Sequence, residues 1–392
     1  MRLPAALRAW LLLVGVCFSS ALGAFELAHE AYVWQRLWTP ELKSALRQNQ
    51  QFVGFRVLVA ERSAAGQWQT FAPDLAVLKG LAVEVMPVLR IDGSAPPQAM
   101  DELRGLIQNT LGNWQSAGIP VQRVELDFDC AVSRLGEYQT LLEGLRLAIP
   151  SSVALDITAL PSWLRAPALP GLLHAVDRAT LQVHAVRAPQ RGLFDPRLAE
   201  FWIRSFAKLS ARPFAAALPA YGARLLLDAN NKVVGVEHEA GLEMASAREL
   251  EIQSDPREVA TLLQALQARP VAGLARVVWF RLPLPGDSRA WAPVTLRAVI
   301  QGTPLKARVA RIAQPNESGG FDVVIANRGN LIAALPQRIA VAVPCTGEGI
   351  SVYRYLNGVF ILRTAGELKP GAQLVLGWLR CPPDILPFKP RN

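Results

Sequence analysis

Val124-Glu125-Leu126-Asp127-Phe128-Asp129-Cys130-Ala131 is the stretch on which the reading of this chain turns. Successive side chains of a strand point to opposite faces, so Glu125, Asp127 and Asp129 share one face while Leu126, Phe128 and Cys130 share the other. Ionising neighbouring carboxylates together is costly. A row of three acids backed by apolar residues therefore suits the inside of a barrel, as a candidate for chemistry, better than an edge strand facing water.

The segments on either side support a barrel. From Ala31 onward, short apolar strands alternate with amphipathic helical segments, the pattern of a parallel sheet. Strands are predicted over 31–34, 52–59, 82–89, 123–129, 154–158, 180–186, 213–218 and 275–280, with helices such as 97–117, 134–148 and 196–210 between them. Eight such units over roughly 260 residues match an α/β fold of the (β/α)8 TIM-like class, typically ~250 residues long. The predicted barrel spans 25–283, with a hairpin inserted near 223–240: two β-rich flanks, 224–228 and 233–238, joined by Ala229-Asn230-Asn231-Lys232. A helix over 257–268 follows, capped by Asp255 with Pro256 at its first position. Beyond the Pro/Gly linker 282–287 the helical periodicity stops. Short strands are predicted over 295–300, 307–312, 321–326, 339–343, 351–355, 359–363 and 373–379, which make residues 290–392 a small all-β sandwich.

With 392 residues, 51% of them hydrophobic, the chain can bury a large core. Met1-Arg2, Arg8, the apolar run 9–18 and the small residues around Ala21-Leu22-Gly23-Ala24 follow the plan of a secretory signal over 1–23, so an exported protein, periplasmic or secreted, is expected. Cys17 follows Val16 rather than a small residue, which argues against a lipoprotein anchor. No later stretch is long and apolar enough to predict a transmembrane helix in the mature chain. In an oxidising compartment Cys345 and Cys381, both in the β-rich region, are the natural disulfide, leaving Cys130 as a small buried core residue. No CxxC and no spaced His/Cys set occurs, so neither a metal nor another cofactor is expected. The net charge of +9 is spread over single arginines without a basic run, which does not point to nucleic acid.

Active sites of such barrels lie at the C-terminal ends of the strands. Those positions carry Trp34 with Gln35 and Arg36, Glu61, Arg90 with Asp92, Asp127 with Asp129, Thr158 with Trp163, Gln182 with His184, Tyr221, and Trp279 with Arg281. Aromatic faces cover the C–H surfaces of sugars and planar polar groups satisfy their hydroxyls, so the mixture fits a carbohydrate groove. Asp129 is read as the acid or base at the rim, with Asp127 below tuning it. Trp34, Arg90, Asp92, Trp163, Gln182, His184, Tyr221 and Trp279 are the candidate substrate contacts.

Leu126-Asp127-Phe128-Asp129 resembles the fourth-strand signature of the family 18 glycoside hydrolases, whose acids run in an Asp-x-Asp-x-Glu series. Leu218-Pro219-Ala220-Tyr221-Gly222 resembles their seventh-strand motif, and Val277-Val278-Trp279 the eighth strand, whose tryptophan floors the sugar site. The place of the family's general-acid glutamate is taken by Ala131, so its chemistry does not transfer intact. Over nearly its whole mature length the chain more closely resembles a family of exported bacterial barrels defined by a domain of unknown function. There the acidic strand leads into Ser133-Arg134-Leu135 and Tyr138, and the next strand into Ile157-Thr158-Ala159-Leu160-Pro161-Ser162-Trp163. These resemblances imply a protein acting on, or only binding, an envelope or extracellular polysaccharide or oligosaccharide, with a scaffold role as the third reading.

Overall fold

The computed structural model describes residues 27–49, 51–95, 100–184, 192–231, 233–237, 248–341, 344–382 and 385–388. The expected signal segment with Cys17, Pro97 and the ends of the strands expected to reach residues 186, 238 and 343 lie outside them.

Eight parallel strands, Ala28–Val33, Gly54–Arg62, Glu84–Ile91, Arg123–Phe128, Ala154–Ala159, Arg178–Gln182, Phe214–Pro219 and Leu274–Phe280, each pair with their neighbours in chain order. The first pairs with both the second and the eighth, so the sheet closes into a barrel. Every strand is followed by a helix: Pro40–Gln48, Leu75–Lys79, Met100–Ser116, Leu135–Ala148, Leu169–His174, Pro196–Ala207, Pro256–Ala268 and Pro293–Ile300. The helix starts are written locally. Thr39, Asp195 and Asp255 each accept a backbone N–H of the first turn, and proline occupies the opening turn after each.

The strand expected over 295–300 is instead the helix Pro293–Ile300, which buries Thr295, Leu296, Ala298 and Val299 against the outside of the barrel. Its β-branched composition favours a strand, but a barrel needs a helix over its eighth strand, and packing overrides local preference. The insertion is also larger than expected. Gly222–Leu227 pairs antiparallel with Val233–Glu237 on one side and with Arg248–Gln253 on the other, making a three-stranded sheet.

The C-terminal region is antiparallel. One sheet holds Val309–Pro315, Phe321–Asn327, Gln373–Arg380 and Thr346–Gly349; a second holds Arg338–Ala340, Val359–Leu362 and Tyr353–Leu356. Val323, Ile325, Tyr353, Phe360, Leu376 and Leu379 form their common core. Cys345 and Cys381, 36 positions apart, are bridged across this core, and Cys130 is free and buried. Closing a loop of that length is worth about 3–4 kcal/mol in the chain-entropy account. Peptide mapping of the unreduced protein should recover residues 345 and 381 in one cross-linked fragment, with Cys130 alkylated only after denaturation; alkylation of all three in the native protein would exclude the bridge.

Candidate active site

Because strand side chains alternate, every second residue of each barrel strand enters the lumen. The deeper lumen is ionic. Arg56 donates to Glu30 Oε2 (2.7 Å), to Thr180 Oγ1 (2.6 Å) and to Glu125, which also accepts from the Tyr32 hydroxyl at 2.6 Å. Arg123 bonds Asp156 through Nε at 2.9 Å and Glu30 at 3.1 Å, and Arg276 pairs with Glu30 from the last strand. Burial pushes the Glu30 carboxyl up, but the charges of Arg56, Arg123 and Arg276 outweigh it and hold the group below the usual carboxylate range. The same balance keeps Arg56 charged: burial opposes it, and Glu125 and Glu30 win. Glu125, the first acid of the row, is fully buried and pairs with Arg56 in the barrel interior; burial pushes its carboxyl up against the pull of Arg56 and the Tyr32 hydroxyl.

Two residues higher, Asp127 lies beside Arg90 on the neighbouring strand and is 9% exposed. Asp127 Oδ1 has no hydrogen-bond partner among the described residues. Burial first, and the nearby charge of Asp129 second, push its pKa up to about 7, against the pull of Arg90. Asp129 is the rim member, with 36% of its side chain exposed and Oδ2 at 3.5 Å from Arg90. It too is raised, by burial in the first place, while Arg90 counteracts. The two carboxyls titrate as a pair in which one proton persists near neutrality.

Arg90 also holds Glu61 at 2.5 Å, and Glu61 bonds Arg36 at 2.5 Å, so an ionic chain runs Asp129–Arg90–Glu61–Arg36 along the rims of the first four strands. Burial favours the neutral form of Glu61, but its bond to Arg36 and the charge of Arg90 keep it below the ordinary range. Asp92 spends its carboxylate on the backbone N–H of Ser94 at 2.9 Å. The turn it caps brings Gly93 so close that an added Cβ would sit 2.2 Å from the Asp129 carbonyl oxygen, so only glycine fits there. Asp92 is consequently a turn residue that adds negative charge near Asp129.

The opposite wall, from the sixth, seventh, eighth and first strands, is aromatic. His184 Nδ1 meets the Tyr221 hydroxyl at 3.2 Å and stacks on Phe280 at 5.6 Å; Trp34 meets Phe280 edge-on at 5.0 Å. Gln182 is half-buried beside them, its amide 3.4 Å from the His184 carbonyl. Trp34, His184 and Tyr221 are themselves no more than 5% exposed, so Phe280, partly exposed, is the face this cluster offers.

Two expected contacts lie elsewhere. Trp163 is fully buried outside the barrel wall, edge-on to Tyr138, with its Nε1 on the Cys130 carbonyl at 2.9 Å. Trp279 also points outward, fully buried, bonded through Nε1 to His29 Nδ1 at 3.1 Å and packed near Trp291. Val278 and Phe280 are the inward residues of the last strand, and a one-residue slip in counting moves a side chain to the other face. Trp279→Phe should therefore lower stability by about 1–2 kcal/mol through the lost buried hydrogen bond, leaving ligand binding unchanged. Phe280→Leu should instead weaken any ligand of the mouth, because it removes the ring face while keeping most of the apolar volume that packs on Tyr32, Trp34, His184 and Tyr221. Melting curves and binding isotherms of the two variants check this, and the opposite assignment of effects would refute it. Among the described residues no group of three or more His, Cys, Asp or Glu side chains is arranged to hold a metal ion.

A family model described as a domain of unknown function, DUF3142, matches residues 82–285, from the third barrel strand through the eighth. The chain belongs to the DUF3142 family. A second domain of unknown function, DUF8456, matches residues 310–382, within the antiparallel region. No curated protein matches the sequence. Among solved structures, the spore cortex-lytic enzyme SleL of Bacillus cereus superposes with a TM-score of 0.51 at 12% identity, covering 72% of this chain and 75% of its own. A class V chitinase from Pseudomonas fluorescens Pf-5 gives 0.48 at 12% identity, covering 71% and 99%. The DUF3142 barrel thus has a glycoside-hydrolase-like fold.

Proposed function

We propose that the protein is an exported, glycan-processing member of its family that binds an envelope or extracellular polysaccharide across the barrel mouth. In this reading Asp129 is the rim group that meets the ligand and Asp127 holds the proton that the pair exchanges. The observation that carries it is the carboxyl of Asp127, buried at the mouth beside a second acid, with a pKa of about 7. A group so placed is half protonated where an enzyme works, which is what general acid–base catalysis requires. Glu61, held ionised by two arginines, and the partly exposed face of Phe280 opposite supply the charge and the surface that a sugar ring would meet. The fold shared with a cortex-lytic enzyme and the disulfide bridge both agree with an exported envelope role. A second reading, binding without cleavage, is favoured by one observation: Ala131 follows the pair where a third acid would complete the row.

Incubation with peptidoglycan, chitooligosaccharides and acidic and neutral exopolysaccharide fragments, scored for new reducing ends and for binding, separates the readings. Asp129→Asn is expected to abolish release while preserving binding, because it keeps the shape and removes the ionisable group. Binding by the wild type without release selects the second reading. No binding to any member of the panel defeats both.

A further inference from the structure

Asp127 has a second polar neighbour in the barrel wall, Thr158. The register that pairs Leu126 with Ile157 puts Asp127 beside Thr158 one step further along the fourth and fifth strands. Thr158 pairs in turn with Thr180, whose hydroxyl meets Arg56 and Glu125 inside the lumen, so Thr158 faces inward as Asp127 does. Thr158 is 4% exposed and Asp127 9%. Asp127 Oδ1 and Thr158 Oγ1 are both shut off from solvent, and neither has a hydrogen bond of proper geometry among the described residues. Two such oxygens on adjacent strands are costly apart, and each can satisfy the other. From this geometry we infer that Thr158 is a positioning residue, whose hydroxyl caps Asp127 Oδ1 and holds the exchangeable proton of the acid pair in place. The inference rests on the proton-exchange role proposed above and adds a residue that sustains it.

A carboxyl that gains and loses a proton is by turns a donor and an acceptor, and a threonine hydroxyl is both. When Asp127 is neutral its O–H donates to Thr158 Oγ1, and when it is ionised it accepts from the Thr158 O–H. The buried oxygen is then partnered in both states. The other groups around Asp127 lack this capacity or are committed elsewhere. Arg90, from the third strand, only donates, and Asp129 and Glu125, on the same strand as Asp127, repel its charge. Tyr32, from the first strand, bonds Glu125 at 2.6 Å, and Tyr138, from the helix Leu135–Ala148, reaches the Leu126 carbonyl at 3.4 Å. Against the upward push of burial and of Asp129, the Thr158 hydroxyl favours the ionised carboxyl, as a donor at that oxygen does. Because neither oxygen reaches solvent, Thr158 acts through Asp127 and not on a ligand.

The test follows the 13C resonance of the Asp127 carboxyl in the full chain carrying Thr158→Val, which keeps the shape and removes the hydroxyl, or Thr158→Ser, which keeps the hydroxyl. In Thr158→Val the midpoint should lie about one pH unit above that of wild type, because the ionised carboxyl loses more than the neutral one when its donor goes. Thr158→Ser should return it to the wild-type value. A packing role alone predicts the reverse order, since serine loses a buried methyl group and valine does not. Should Thr158→Val fail to fold, Thr158→Ala, which also lacks the hydroxyl, gives the same reading. A midpoint unchanged without the hydroxyl, or moved as far in Thr158→Ser, would overturn the inference. On any glycan that the wild type cleaves, kcat of Thr158→Val should fall about tenfold near neutrality with KM unchanged, and its pH optimum should move up; an unchanged kcat and optimum would also overturn it. If the wild type binds and cleaves no glycan, the glycan reading falls, while the titration still decides the role of Thr158.

Discussion

Replacing Arg56 by methionine is expected to destabilise the barrel by about 3–5 kcal/mol, since removing one partner of a buried ion pair leaves an uncompensated charge in a dry interior. The residue is 1% exposed and joins Glu30 from the first strand, Glu125 from the fourth and Thr180 from the sixth. Glu30 keeps Arg123 and Arg276 in the variant, whereas Glu125 keeps no cation among the bonds described, only the Tyr32 hydroxyl at 2.6 Å and the Thr180 hydroxyl at 3.5 Å. The loss should shrink as the pH falls, because a carboxyl stranded in the lumen can escape its cost by protonating. The double variant Arg56→Met/Glu125→Leu should recover part of the loss, as buried ion pairs replaced whole by apolar residues often do. Denaturant midpoints of the three proteins check the account; a cost under about 1 kcal/mol for the single variant would mean that the network is solvated and does not organise the barrel.

Asp127→Asn should act in opposite directions on stability and on turnover. The folded-state pKa of Asp127, about 7, lies above the ordinary value of an unfolded aspartate, ~3.9. The native state therefore binds this proton more tightly than the unfolded chain does. Its contribution to stability is fully present below about pH 4 and is lost as the pH rises through 7. At pH 8 an ionised, buried Asp127 beside Asp129 costs on the order of 2–4 kcal/mol. The asparagine variant should accordingly melt higher than wild type at pH 8 and nearly with it at pH 4, and should lose about a hundredfold or more of any glycan turnover. Scanning calorimetry across that range is the check. A variant that melts lower at pH 8 by as much as at pH 4 would show that Asp127 is an ordinary ionised carboxylate.

The barrel was legible because its signals are local and repeated. Each of the eight strands is an apolar run, each long helix has its periodicity, and caps such as Asp255-Pro256 mark the starts. Asp127 and Asp129 stood out because like charges two positions apart in an apolar strand have few structural uses. The errors share a cause, the competition of local preference with long-range packing. Val294, Thr295, Val299 and Ile300 read as a strand until the need to cover the eighth barrel strand makes them a helix. Arg248–Gln253 is polar on its exposed positions and carried too weak an alternation to be seen as the third strand of the insertion. The neighbours of Trp279 fit a motif of the mouth, but Val278 faces inward, and strand alternation therefore sends Phe280 and not Trp279 into the lumen. The arginines read as diffuse because Arg36 and Arg90 are far apart in sequence; only the parallel pairing of the first strands brings both to Glu61 on one rim. Glu30, Arg56, Arg123 and Asp156 gave no sign of their partnership for the same reason.

The claim on which the functional reading rests is that one carboxyl at the barrel mouth keeps its proton near neutrality. Labelling the aspartates with 13C at Cγ and following the carboxyl resonances from pH 4 to pH 9, with Asp127→Asn to identify the signal, measures this directly. The expected result is one resonance with a midpoint near 7, absent from the variant, and a second, from Asp129, that shifts at the same step because the two are coupled. If every aspartate resonance moves below about pH 5, in the range of ordinary carboxylates, the mouth holds two ionised acids and the proton-exchange role fails.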